Sequence, residues 1–424
     1  MATGGKYTIR AASDNAADEP GYVALAWPRL ANSATKAVES DLGWDLTPLP
    51  GVTPAVADLV HLAVGAYLAD RRTRRGVRFS RSLSLRLAAL DPDLWDSTTL
   101  EAAADLLAWL TGDEWELSVT PAAPVDLPGT FSVPTLEPVS LLSGGLDSFL
   151  GAITHLGAGA RPMFLGHKDT STAIRHAQGA VGTWLGQQYS PAPSYARFAI
   201  SGTVRPEPTS RSRAFMFQSL GVAAAVSTTT NRLVVAENGY TSINLPLRAN
   251  RGGALSTRST HPVTFDRVQR LLGALGIDVT IENPFEWMTK GEAMTAVVAG
   301  DPPGGWDAMA ALTVSCGKLG GNFFEGSPNI NCGLCVPCLV RRGTFIASGV
   351  KDSTRYLVNE ITGAPRGHLI EVRRGDIEAV RSAAAAGVDG NAIDAGTWPV
   401  GYDLDRAEDL VARGLRELGM VDLP

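Results

Sequence analysis

Two short stretches of this 424-residue chain carry residue types and spacings suited to chemistry. The first is Ser143-Gly144-Gly145-Leu146-Asp147-Ser148. Adjacent glycines let the backbone turn tightly and come close to a ligand. A helix starting directly after them presents unpaired N–H groups and the positive end of its dipole, which suits phosphate. The hydroxyls of Ser143 and Ser148 add donors. A Walker loop would place a lysine before its Ser or Thr, and this turn has none. Its acidic Asp147 is instead suited to hold Mg²⁺ against phosphates, because a hard dication prefers carboxylate and phosphate oxygens. The plain alternative is a Gly-Gly strand-to-helix connection with Ser148 in the first helical turn.

The second stretch holds every cysteine of the chain: Cys316, Cys332, Cys335 and Cys338. In a reducing compartment such clustering points to metal rather than disulfides. Cys332 to Cys338 forms two overlapping CxxC steps, with Cys316 upstream. Four thiolates suit tetrahedral Zn²⁺ and leave no open position, so the metal is structural. An iron–sulfur cluster is a rival, since Cys₄ sites serve both; free thiols or a redox pair is the remaining alternative.

The elements that must position these residues are legible as a change of rhythm along the chain. From about 137 to 345, short β-rich runs alternate with longer helical ones. Strands fall at 138–142, 162–166, 196–201, 232–236 and 279–281. Helices follow the glycine turn through 156, then at 170–188, 212–227, 263–275 and from about 290. Strand, helix, strand at these lengths implies parallel pairing with right-handed crossovers, hence an α/β fold with a doubly wound parallel sheet. Ligands bind at the carboxyl ends of such strands, where Ser143–Ser148 sits, and where Glu237 and Asn238 follow a buried-looking strand. Residues 1–136 read as an N-terminal α+β extension, with apolar spacings of three and four at 56–68, a helix at 100–110 and a strand at 115–119. The basic run 71–75 reads as a solvated helix end, and the proline-rich 121–138 as a linker. Residues 346–424 form a helical C-terminal extension with amphipathic segments at 375–386 and 403–418.

Composition bounds the partners. Hydrophobic residues make up 45% and charged residues 19%, and the net charge is −6. This acidity disfavours a nucleic-acid surface, which needs clustered Lys and Arg. No window reaches the roughly 18 apolar residues of a membrane span. Residues 1–11 lack the apolar core of a secretory signal, so a cytoplasmic location with no membrane partner is expected.

The Ser-Gly-Gly-Leu-Asp-Ser turn resembles the signature of the PP-loop ATP pyrophosphatases. The resemblance implies a HUP-like sheet that splits ATP to AMP and pyrophosphate and adenylates a substrate oxygen. It implies Ser143, Gly144, Gly145, Leu146, Asp147 and Ser148 as the nucleotide site, with Asp147 and Ser148 catalytic and Mg²⁺ bound. Ser315-Cys316-Gly317, then Cys332 to Cys338 followed by Leu339-Val340-Arg341-Arg342-Gly343-Thr344-Phe345, is similar to the CGxCxxCxxRxxxF zinc motif of the QueC family. The gap after Cys316 is longer than in typical QueC.

Other segments follow in the same order. Arg211-Ser212-Arg213 occupies the place of a QueC Gly-Arg-Asn segment; Arg211 and Arg213 either steady ATP or form a solvated helix start. Asn283-Pro284-Phe285 and Thr289-Lys290-Gly291-Glu292 resemble the family's proline followed by Lys-x-Glu, giving Lys290 a catalytic role toward an anion. His167, in Gly166-His167-Lys168-Asp169, matches the family's Gly-Gln-Arg-His poorly; it handles substrate or is a surface histidine.

The resemblance covers 138–345. QueC converts 7-carboxy-7-deazaguanine to the nitrile with ATP and ammonia. The segments Ala69-Asp70-Arg71-Arg72, Phe79-Ser80-Arg81-Ser82-Leu83, Asp91-Pro92-Asp93-Leu94-Trp95 and Leu110-Thr111-Gly112-Asp113-Glu114-Trp115 look like QatC-type, QueC-like proteins of antiphage defence operons. For these the resemblance implies joining a deazaguanine carboxylate to an amine on a partner protein of the same operon. Housekeeping QueC activity, tRNA thiolation and a non-catalytic nucleotide-sensing scaffold are the competing readings. Thiolation needs a thiol outside the metal set.

Overall fold

A computed structural model describes residues 4–14, 20–27, 38–47, 49–76, 80–129, 137–168, 171–247 and 255–424. Phe79, Asp169, Thr170 and most of the expected linker after residue 129 lie outside the described residues. In chain order the first elements are β1 (Gly4–Ala11), β2 (Val23–Trp27), β3 (Val38–Ser40), α1 (Pro54–Arg72), β4 (Ser82–Ala89), α2 (Ser97–Thr111), β5 (Glu114–Pro121) and β6 (Val139–Leu141). Next come α3 (Leu146–Gly157), β7 (Met163–His167), α4 (Thr172–Gln188), β8 (Ser194–Phe198), β9 (Ile200–Gly202), α5 (Arg213–Ser227), β10 (Arg232–Val234) and α6 (Gly239–Ile243). The remainder is α7 (Pro262–Ala274), β11 (Thr280–Glu282), α8 (Lys290–Ala299), α9 (Trp306–Leu312), α10 (Val336–Ser348), α11 (Leu357–Glu360), α12 (Gly363–Ala386), α13 (Gly390–Asp394) and α14 (Leu404–Gly419).

The chain forms two compact units interleaved in sequence. One comprises Met1–Leu141, Ala196–Val234 and Leu255–Glu282; the other Leu142–Tyr195, Val235–Ala254 and Asn283–Pro424.

In the first unit, β2-β1-β4-β5 form a sheet in that order, and every pairing is parallel. The α+β reading of this region therefore gives way to a parallel arrangement; β1 and β4 alternate polar and apolar residues as β5 does, and alternation alone does not tell parallel from antiparallel pairing. Residues Ala55 to Asp70 of α1 are buried without exception. The spacing at 56–68 predicts a one-sided helix, but α1 packs against β1 and β4 and also against α5, which leaves it no solvent face. The basic run after α1 is not a solvated helix end either. Arg75 grips both carboxylate oxygens of Asp113 at 2.8 Å. The fully buried Arg81 lies between Asp70 and Asp113, at 2.5 and 2.6 Å. A second parallel group, β11-β10-β6, pairs Leu233 with Val139 on one side and Ile281 on the other.

In the second unit the chain leaving β6 continues beside β7, where the Leu142 N–H donates to the Leu165 carbonyl at 2.8 Å. Helix α3 turns Leu146, Phe149, Leu150 and Ile153 inward at spacings of three and four, onto Phe164, Val181, Met294 and Phe345. A further cluster joins Tyr240, Leu339, Leu410, Val411, Leu415 and Leu418. Helix α12 begins twelve residues before the expected 375, at Gly363. Gly363, Pro365 and Gly367 read as breakers, yet proline is tolerated in a helix's first turn. Among the described residues no helix is long and apolar enough to cross a membrane.

Candidate functional site

The glycine turn lies within the second unit and is held from several sides. Gly144 adopts φ +86°, a left-handed conformation that an L side chain resists. Its carbonyl accepts the Val314 N–H at 3.1 Å. The Ser143 and Ser148 hydroxyls are 3.1 Å apart, and the Ser143 hydroxyl accepts the Gly145 N–H at 3.3 Å. Gln178 of α4 spans the carbonyls of Ser143 and His167 with its amide nitrogen, at 3.2 and 3.0 Å. No side chain caps α3, whose N-cap is Gly145. The N-terminal N–H groups therefore lie at the turn with the positive end of the dipole.

Asp147, in the first turn of α3, is nearly buried. Its Oδ2 receives Lys290 Nζ at 2.9 Å and Asn238 Nδ2 at 3.1 Å. Its Oδ1 is buried and has no hydrogen-bond partner. A buried carboxylate oxygen is seldom left unpaired; the Glu237 carboxyl, whose raised pKa includes a hydrogen bond to Asp147, and a bound cation are the two groups suited to it. Asn238 is itself fixed as the N-cap of α6: its Oδ1 accepts the Thr241 N–H at 3.0 Å. Lys290 is the first residue of α8, behind a capping box in which Thr289 and Glu292 satisfy each other's backbone N–H groups.

Glu237 is half-buried beside this pair. Its carboxyl is pushed up to about 8, first by burial and then by the negative charge of Asp147, against the pull of Lys290. Asn283 fastens its backbone by accepting the Glu237 N–H at 3.1 Å and donating to the Glu237 carbonyl at 2.8 Å. The structure thus gathers Ser143, Ser148, Asp147, Glu237, Asn238 and Lys290 at one place in one unit. His167 ends β7, with its carbonyl on Gln178. Arg211 and Arg213 belong to the first unit, where Arg211 donates to the Thr111 carbonyl at 2.9 Å.

The four cysteines converge in the same unit, with their sulfurs all within 4.8 Å of one another. Cys316 lies 3.8 Å from Cys335, and Cys332 lies 3.9 Å from Cys338. A tetrahedral ion with Zn–S bonds of about 2.3 Å needs sulfurs about 3.8 Å apart. The set is therefore close enough to hold a metal ion such as zinc. An iron–sulfur cluster, with its own irons and sulfides between the thiolates, would hold them wider apart. Hydrogen bonding from Cys316 draws the Cys332 thiol down, while Cys335 and Cys338 are pushed up through their bonds to Cys316. Thiols packed this closely do not all ionise without a cation.

Backbone N–H groups of Lys318 and Cys332 point at the Cys316 sulfur, both at 3.4 Å. Asn331 Oδ1 accepts the N–H groups of Ser315 and Cys316, each at 3.0 Å. The fully buried Arg341 donates to Thr354, Thr313, Ser315 and the Ala310 carbonyl. Gln178 and Asn331 escape a sequence reading because lone amides carry no spacing signal, and Asn283 is legible only as part of the Asn283-Pro284-Phe285 segment. Arg341 does carry one, the Arg placed three residues after the last cysteine. No family model matches the chain, and no curated protein does.

Proposed function

We propose that this chain is a QueC-like ATP pyrophosphatase that activates a 7-deazaguanine carboxylate by adenylation and passes it to an amine. The observation that carries the reading is Asp147: a nearly buried carboxylate at an uncapped helix start, with one oxygen on Lys290 and Asn238 and the other unpartnered. A buried charged group kept beside a glycine turn and the Glu237 carboxyl is better suited to a ligand than to stability, since buried ion pairs contribute little net folding energy.

The residues suit the chemistry. A carboxylate is a poor electrophile, and joining it to AMP with loss of pyrophosphate gives it a good leaving group. The uncapped N–H groups of α3 and the hydroxyls of Ser143 and Ser148 bind and orient phosphate oxygens. Lys290 stabilises negative charge that builds on the departing pyrophosphate. Asp147 Oδ1 is the residue atom suited to Mg²⁺, which would neutralise phosphate charge there. Glu237, which holds its proton to about pH 8, offers a neutral donor beside the anionic phosphates. The four-cysteine set is read as a structural Zn²⁺ site. All four cysteines of the chain belong to it, which leaves no thiol for a thiolation reaction.

The acceptor amine is assigned to a partner protein of a defence operon, on the likeness of the first region to QatC-type proteins. Release of free nitrile with ammonia alone would return the chain to housekeeping QueC chemistry. The test is AMP release by the purified protein with 7-carboxy-7-deazaguanine and an amine acceptor, beside Asp147→Asn. The wild type is expected to release AMP in an acid-dependent way and the variant to lose it while remaining folded, with a lowered melting temperature because Lys290 is left without its carboxylate. Undiminished turnover in Asp147→Asn would sink the assignment.

A further inference from the structure

The two partners of Asp147 come from separate segments, and one helix touches both. Asn238 caps α6 and Lys290 opens α8. Helix α14 buries Leu410, Gly414 and Leu418 in the cluster that contains Tyr240 and Ile243 of α6. Its Gly414 admits the Tyr240 ring so closely that a Cβ there would lie 2.2 Å from Tyr240 Cγ. At the other segment, one Glu417 carboxylate oxygen accepts the Gly291 N–H at 3.1 Å, and the other pairs with the Thr289 hydroxyl. Arg413, one turn earlier, pairs with Glu292 and donates to the Trp287 carbonyl at 3.3 Å. Lys290 therefore sits between two residues, Thr289 and Gly291, that are both fastened to one carboxylate.

A carboxylate at a helix N-terminus satisfies N–H groups that the helix leaves open and is favoured by the dipole. Here the capping box already serves the cap, so Glu417 is a second acidic group at the same end. Burial raises its pKa, opposed by its bonds to Thr289 and Gly291. A partly buried charge held there by a distant helix contributes orientation more than net stability.

We infer that α14 is a brace for the Asp147 site and that Glu417 is a positioning residue, holding the first turn of α8 so that Lys290 reaches Asp147. This gives the C-terminal helix a role in the same site and rests on the proposed function only in treating Asp147 as the working carboxylate.

The experiment is a double-mutant cycle of Lys290→Met and Asp147→Asn, read as urea midpoints in the full chain without nucleotide. It is run in the wild type and again with Glu417→Gln. If Glu417 positions Lys290, the coupling between 290 and 147 falls to about half or less in the Glu417→Gln background. Glu417→Asp, which keeps the charge but shortens its reach, carries the same expectation and covers a Gln variant that does not fold. A lowered midpoint with unchanged coupling would reduce Glu417 to a docking contact and overturn the inference, as would absence of coupling in the wild type. Mg·ATP titration of the same proteins separates the two readings. Coupling that depends on Glu417 in a protein that binds no Mg·ATP leaves the brace standing and removes the nucleotide site.

Discussion

Replacing Arg341 by methionine tests the four-cysteine cluster as a metal site through a residue outside the sulfur set. Arg341 is fully buried and reaches four oxygens: Thr354 Oγ1 at 3.1 Å, Thr313 Oγ1 at 2.9 Å, Ser315 Oγ at 3.2 Å and the Ala310 carbonyl at 2.5 Å. Methionine keeps much of the volume and none of the donors. The Ala310 carbonyl retains the Thr313 hydroxyl at 2.7 Å, so its loss is partial. Two buried hydroxyl acceptors remain, Thr313 and Thr354, at about 1 kcal/mol each, or about 2 kcal/mol together, while the part-buried Ser315 hydroxyl regains water. Ser315 precedes Cys316, and four thiolates around Zn²⁺ leave two negative charges that a buried guanidinium partly offsets. Losses at residues that orient ligands run at 10- to 100-fold in metal affinity, roughly what 1.4–3 kcal/mol gives. Competition for zinc against a chromogenic chelator should show about that drop, together with a lower urea midpoint for the zinc-loaded protein. Arg341→Lys keeps the charge without the forked donors and should fall between. Zinc affinity in Arg341→Met within about twofold of wild type would refute the coupling drawn here between Arg341 and the cysteine cluster.

Three further outcomes follow from the geometry. Gly144→Ala should destabilise by about 1–2 kcal/mol, because φ +86° opposes a Cβ that would also meet Gln178 Cγ at 3.0 Å; a calorimetric Tm equal to wild type would contradict this. Cys335→Ser should lower bound metal and thermal stability together, since metal binding energy is folding energy; elemental analysis and melting of one preparation check it. Glu237 holds its proton to about 8 when folded and releases it near 4.5 when unfolded, so the folded state binds more protons between those values. Stability should therefore fall as pH rises from about 4.5 to about 8, and Glu237→Gln should flatten that slope in urea titrations.

The turn and the cysteine set were legible because their signals are local. Six consecutive residues define the first, and spacing within 23 residues defines the second. The strand-and-helix alternation from 137 onward was legible for the same reason: each segment keeps its own periodicity. What escaped depends on distant partners. Helix α1 has apolar spacings of three and four, yet its small residues let it be covered on every side. Arg75 lies in a basic run that looks solvated until Asp113, far along the chain, meets it. The two units are interleaved, so no contiguous cut of the sequence separates them. Glu417 is one acidic residue on an amphipathic helix, and only folding brings it to Gly291.

The central claim is that the substrate carboxylate attacks ATP and becomes joined to AMP. It is tested most directly with 7-carboxy-7-deazaguanine labelled with ¹⁸O in its carboxylate, followed by mass analysis of the AMP released in the presence of an amine acceptor. Adenylation predicts one carboxylate oxygen carried into each AMP. AMP that carries no label would mean that water, not the acid, opens ATP, and would contradict the account.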